Sequence, residues 1–507
     1  MVTSAAISLL GSGAYALPVQ AGSSSTPFSL SGLAAESRQP AVATLPPGTP
    51  TVAPPATLAS VVPSLGSNIN VIGRNDVVQQ ATINGVSVKT CNPGKHTAQN
   101  ETTIAVNGST LIGGANDYRL YEPSENRYDG SGGYYLSSDG GKSWSAGYLP
   151  GLVRANPTAP GPYESAGDPA VVAGAAPGVF WYANLGFDRT DAANSVAVSR
   201  TTDGGQSWAT HFVVQTSAQQ GVGLFNDKEW IAADPTNGNR AYVTWTQFSG
   251  GSSVIVISRT DDGGLTWSAP KPVSTLTNDQ GSTVVVDSGG RVYVTFETFN
   301  GASDAVAFAT STDGGSTFST RLIAPIADIP SPLPGASFRD DSFPSLAVDA
   351  STSALHIVWS NWNGSNADVV YIGSTDGGAS WSGPVTIAGG AGDQFFPWIA
   401  AGGGKVYTSF FNRQGGGDTY SIGTVASTDG GGSWTASVTV SSADSNVTSG
   451  NQFQFPTCLS SFIGDYNAIT VDSSGVAHAL WTDIRDDKFD PAKGGADQDP
   501  YTATISV

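Results

Sequence analysis

The pattern Ser/Thr-x-Asp-Gly-Gly-x-Ser/Thr-aromatic constrains this chain more than any other feature. It occurs six times, at Ser137–Trp144, Thr201–Trp208, Thr260–Trp267, Ser311–Phe318, Ser374–Trp381 and Ser427–Trp434. Its aspartates (Asp139, Asp203, Asp262, Asp313, Asp376 and Asp429) recur every 51 to 64 residues, which is the signature of a repeat architecture. Each copy is a turn with a mechanism. The Gly-Gly pair permits positive φ, and the Asp and Ser/Thr side chains can satisfy the turn's own N–H groups. The aromatic then re-enters an apolar layer. The motif therefore joins two antiparallel strands, and its aspartates are read as structural.

Upstream of each turn lie two further strand-like runs. The first starts polar or acidic and becomes apolar, as at Asn100, Asp168, Asp227, Asp279, Asp341, Asp393 and Asp465; the second is rich in Tyr, Val, Trp and Phe. These runs define seven units, one more than the turns. Four antiparallel strands per unit predict an all-β fold, a seven-bladed β-propeller of four-stranded blades. The chain ends on the third strand of unit seven. Strand-like runs at Ile69–Ile72 and Val86–Thr90 have no unit of their own, so one of them is expected to complete blade seven and close the ring. Closure removes exposed sheet edges. Cys91 and Cys458, the only cysteines, precede the inner strands of units one and seven, which are neighbours in a closed ring. A disulfide across that seam is expected.

Residues 1–21 read as a signal-peptide-like segment, with a small apolar stretch and candidate cleavage sites after Ala16 or Ala21. Residues 22–66 are Ser/Pro/Ala-rich and read as a disordered linker; 67–507 are assigned to the propeller. A secreted, extracellular, monomeric protein is the expectation. The 41 acidic residues outnumber the 22 basic ones, for a net charge of −19, a poor balance for binding a phosphate backbone. Nucleic acid is excluded as a partner, and no apolar run is long enough to span a membrane.

In a four-stranded blade the start of the inner strand and the end of the second share one face. Glu101, Asp168, Asp227, Glu229, Asp279, Asp341, Asp393 and Asp465 should therefore gather at one mouth of the channel. Units six, seven, one and two add Arg413, Arg485, Arg119 and Arg189 there, an arc suited to a carboxylate or sulfate ligand. Trp230, Trp362, Phe396 and Trp398 face them and suit stacking on sugars. The competing reading pairs each Arg with an adjacent Asp to tie blades together. Ring carboxylates could also hold a structural Ca²⁺ with backbone carbonyls, although no metal-binding spacing identifies one; no other cofactor is expected. No HExxH, GxSxG, P-loop or dinucleotide motif occurs.

The six boxes, together with QNETTIAV, GANDYR, FNDKEWIAAD, FFPWIAA and FIGDYN…WTDIR, resemble the BNR/Asp-box repeats of secreted sialidase-like proteins over about residues 95–507. The resemblance implies a glycoside hydrolase acting on a glycan or polysaccharide that bears a carboxylate. It implies a Tyr nucleophile (Tyr118 or Tyr466) partnered by Glu229 or Glu101, with Asp117 or Asp168 as acid. Arg119, Arg413 and Arg485 would hold the substrate carboxylate. Such boxes also occur in proteins that are not glycosidases. A non-catalytic propeller binding glycan or protein at the cell surface, and a polysaccharide lyase with a Tyr base, therefore stand as alternatives.

Overall fold

The six Asp-Gly-Gly turns close in the same way. In the first, Ser137 Oγ donates to Asp139 Oδ1 (2.8 Å), while the carboxylate accepts from Ser143 N (3.0 Å) and Ser143 Oγ (2.6 Å). Gly140 and Gly141 take φ of 76° and 87°, values a side chain would oppose. The last turn repeats this network, with Ser433 Oγ donating to Asp429 Oδ2 (2.6 Å). The turn aromatics pack on the preceding blade. Trp208 lies 5.5 Å from Tyr134, Trp381 5.0 Å from Phe308 and Trp434 4.8 Å from Tyr371, centroid to centroid. Each turn thus shapes a hairpin and sets an aromatic at the blade edge, buried at Trp434 and half-buried in the other five turns. Full burial of such a ring contributes about 1.5–3 kcal/mol.

The computed structural model describes residues 53–73, 82–83, 86–87, 98–124, 127–299, 304–414, 416–447, 462–485 and 498–507. Their strands form seven antiparallel blades, with the inner strand first in the chain. The inner strands are Gln99–Asn107, Ser165–Ala173, Leu224–Ala233, Asp279–Val286, Ser345–Val348, Asp393–Gly402 and Ala468–Val471. Trp181, Trp245, Trp359 and Trp481, all on second strands, are almost fully buried between blades. One short helix occurs among the described residues, Ala218–Gly221. No helix there is long and apolar enough to cross a membrane.

Blade seven is completed as the sequence suggests. Its third strand, Asp499–Ser506, pairs with Ser64–Leu65 and Ile69–Asn70, in register Ser64↔Ser506 and Ile69↔Thr502. The other candidate, Val86–Ser87, pairs instead with Thr82–Ile83. The stretch assigned to a linker behaves differently from 53 onward. Ala56 N donates to Thr386 O (2.9 Å) and Ala59 N to Trp434 O (2.7 Å). Thr386 N and Trp434 N return bonds to Pro54 O (2.9 Å) and Thr57 O (2.8 Å). Prolines lack an N–H and tolerate only an edge position, and here the segment lies along the outer side of blades five and six. Composition alone hides this because the bonds are made by backbone. Residues 1–52, Cys91 and Cys458, including the expected seam disulfide, lie outside the described residues.

Candidate functional site

Five inner strands carry a β-bulge at the same level. The register slips between Asn100 and Thr103, Gly167 and Ala170, Asp227 and Trp230, Gln280 and Thr283, and Phe395 and Trp398. The first bulged residue has positive φ in every case: Glu101 (55°), Asp168 (53°), Lys228 (51°), Gly281 (65°) and Phe396 (49°). A left-handed residue other than Gly is strained, and such strain concentrates at functional sites. Bulges also re-aim side chains, and the contacts show where these point. Lys228, on blade three, reaches across the ring to the Asp465 carboxylate of blade seven. The glycine has a steric reason, since a Cβ on Gly281 would lie 2.4 Å from the Phe343 ring.

Around the channel axis this gathers six carboxyl groups (Glu101, Asp168, Asp227, Glu229, Asp341 and Asp465) with two cations, Lys228 and Arg339. Arg339 donates from Nε and Nη2 to both oxygens of Asp465, at 2.7 Å each, and lies 4.4 Å over the Phe462 ring. Six negative charges against two positive cannot persist in a buried place. Burial, reinforced by neighbouring carboxylates, holds Glu101, Asp227, Glu229 and Asp341 well above the usual carboxylate range. The neighbouring Asp168 carboxylate contributes to the rise at Asp227. Burial would raise Asp465 as well, but Arg339 and Lys228 outweigh it and hold the group down to about 2. Glu229 is the exceptional member. It is 2% exposed, and neither carboxyl oxygen has a hydrogen-bond partner.

Glu229 borders a half-open cavity of about 40 Å³ that is also lined by Lys228, Trp230, Trp398, Asp465 and Tyr466. At roughly 10–15 Å³ per water, that is space for about three waters. It matches one substituent of a sugar and not the ring. Trp230 and Trp398 meet across the ring at 4.6 Å, and Tyr466 packs against both at 6.1 and 5.7 Å. Tyr466 Oη donates to Pro169 O (3.2 Å). Burial and the adjacent Glu101, Asp168 and Glu229 push its phenol well above its ordinary value.

The structure thus brings together Tyr466, Glu229, Glu101, Asp168 and Trp230. The remaining expected site residues stand elsewhere. Asp117 is fully buried and accepts from Arg119 at 2.6–2.9 Å and from Tyr135 Oη at 3.2 Å. Tyr118 lies beside that pair, its N–H on Ala98 O. Trp362, at the end of a blade-five strand, does not line the cavity. Each arginine of the expected arc closes on a carboxylate. Arg119 takes Asp117, Arg189 takes Asp129, Arg413 takes Asp393 and Arg485 takes Asp483, with shortest contacts of 2.6–2.7 Å. Arg413 is 1% exposed, so its guanidinium has no face left for a ligand.

Sequence reasoning missed Lys228 and Arg339. Lys228 sits inside the quoted FNDKEWIAAD run, at the position equivalent to Glu101 and Asp168, so alignment of the units carried a signal for it. Arg339 lies in the segment between Ile326 and Ser345, outside the repeat pattern. As for metals, Glu297, Asp304 and Asp328 bring ligand oxygens within 4.8 Å of one another.

No family model matches the sequence, and no curated protein matches it. Solved structures do. A protein of unknown function from Dyadobacter fermentans is 15% identical over 72% of this chain and 98% of its own, with a TM-score of 0.47. A Trypanosoma rangeli sialidase in complex with sialic acid is 13% identical over 74% of this chain, with a TM-score of 0.45. The match spans only 60% of that sialidase chain. A Penicillium chrysogenum α-L-arabinanase complexed with arabinobiose is 12% identical over 68% of this chain and 94% of its own, with a TM-score of 0.43.

Proposed function

We propose that this chain is a secreted, carbohydrate-active propeller of the Asp-box type, a sialidase-like glycoside hydrolase acting on an anionic glycan at this channel mouth. The observation that carries the reading is Glu229, a buried and unpartnered carboxyl on the cavity wall. A carboxyl whose hold on its proton is strengthened by burial and by neighbouring carboxylates is poised as a general acid. In this reading Glu229 protonates the glycosidic oxygen. Tyr466 Oη attacks the anomeric carbon and passes its proton to Asp168. Lys228, paired with Asp465, is the cation on the cavity wall that faces the anionic substituent, and Trp230 and Trp398 bound its seat.

One observation favours a second reading, a non-catalytic glycan-binding propeller. Arg119, Arg189, Arg413 and Arg485 are all engaged by carboxylates of the chain itself. Purified protein screened against fluorogenic sialosides, uronides and neutral glycosides separates the two. Hydrolysis of anionic substrates that falls at least 100-fold in both Glu229→Gln and Tyr466→Phe, with circular dichroism unchanged, supports the enzyme. Glycan binding without turnover supports the second reading, and neither binding nor turnover on any glycan overturns both.

A further inference from the structure

We propose that Glu297, Asp304, Asp328 and Gln280 form a calcium site at the edge of blade four, separate from the channel cluster. Their placement follows from the register. Gln280 stands directly opposite Glu297, and Phe299 opposite Asp304. Residues two apart share a face of a strand, so Gln280, Glu297 and Asp304 project from the same face. Asp304 is in turn paired with Ile326, two residues before Asp328. The three carboxylates place oxygens within 4.8 Å of one another, the spread that one ion at about 2.4 Å from each requires. Glu297 is 1% exposed.

Gln280 is the independent observation. Its side chain is 3% exposed, and its Oε1 has no hydrogen-bond partner. A direct cross-strand neighbour has its Cβ about 5 Å away, so the Gln280 side chain leaves the sheet next to that of Glu297 and on the same face. A buried acceptor left without a donor is costly, and a cation supplies what it lacks. Three carboxylates and an amide oxygen are hard ligands, suited to Ca²⁺ rather than to Zn²⁺, which prefers nitrogen and sulfur. The site has a structural consequence. Asp328 opens the segment that delivers Arg339 to Asp465. An ion there would pin the base of that segment to the second and third strands of blade four.

The test uses the full chain freed of metal with EGTA, then titrated with CaCl₂ by calorimetry and with Tb³⁺ by luminescence. One ion per chain is expected, with a Kd of about 1 mM or tighter and a higher Tm when bound. Asp304→Asn and Asp328→Asn should each weaken binding at least 10-fold, and Gln280→Leu should weaken it several-fold. Asp304 is only half-buried, so Asp304→Asn remains informative if Asp328→Asn does not fold. Absence of calcium binding by the wild type, or unchanged affinity and stoichiometry in the Asn variants that fold, overturns the proposal. Glycan hydrolysis plays no part in these readouts, so the site stands or falls independently of the catalytic reading.

Discussion

Arg413 decides between two uses of an arginine, and the structure predicts a large stability effect. Its Nε and Nη2 donate to Asp393 Oδ2 at 3.0 and 2.6 Å; Nη1 donates to Gly417 O at 2.8 Å and Nη2 also to Pro334 O at 3.0 Å. Arg413→Met removes all four bonds at a position 1% exposed and strands the Asp393 charge. Breaking a buried pair from one side costs about 3–5 kcal/mol. Arg413→Met combined with Asp393→Asn removes the orphaned charge but keeps the oxygen that accepts from Ala367 N (3.0 Å). It should recover about 2 kcal/mol of the loss. Equilibrium unfolding in guanidinium chloride, read as midpoint and slope, measures both variants. A single variant within 0.5 kcal/mol of wild type that no longer binds anionic glycan would refute the reasoning and return Arg413 to the ligand.

Two further outcomes follow from the geometry. Burial pushes the His356 imidazole, 1% exposed and 2.9 Å from Tyr371 Oη, down to about 4. Between pH 4 and 6.5 the unfolded chain therefore binds a proton that the folded one refuses. Stability is complete above 6.5 and falls by about 3 kcal/mol toward pH 4; His356→Gln should flatten that acid limb in a pH series of unfolding midpoints, and an unchanged limb counts against it. Deleting residues 1–62 removes four backbone bonds to Thr386 and Trp434, about 4 kcal/mol in total, but spares the strand that closes blade seven. Deleting 1–73 removes both, so calorimetry should show two successive drops in Tm, and equal Tm values for the two truncations would show that closure contributes nothing.

The blades were legible because Asp139 and its five counterparts mark the same hairpin at near-regular intervals, and a hairpin turn is local chemistry. Ring closure was legible by subtraction, since blade seven lacked a strand and Ile69–Ile72 lacked a blade. The site was legible only in part. Glu229, Glu101, Asp168 and Tyr466 could be placed at the mouth by alternation and blade geometry. The left-handed bulge that aims Glu101, Asp168 and Lys228 inward could not, because only Gly281 carries a residue type that advertises positive φ. Arg339 comes from the segment between Ile326 and Ser345, outside the repeat pattern. The arginine arc was misleading for an electrostatic reason. Asp117 and Arg119, like Asp483 and Arg485, are two residues apart, and a carboxylate so close captures the guanidinium before any ligand can.

The joining of Ser64–Leu65 and Ile69–Asn70 to Asp499–Ser506 also has a temporal side. During synthesis the early stretch emerges more than 400 residues before its partner, so the circle stays open until Asp499–Ser506 has been made. Six modules can assemble as they appear, while the seventh waits for two stretches far apart in the sequence to meet. A nascent chain stalled before Asp499 would be a nearly complete toroid with one raw rim, and quality control could recognise that rim.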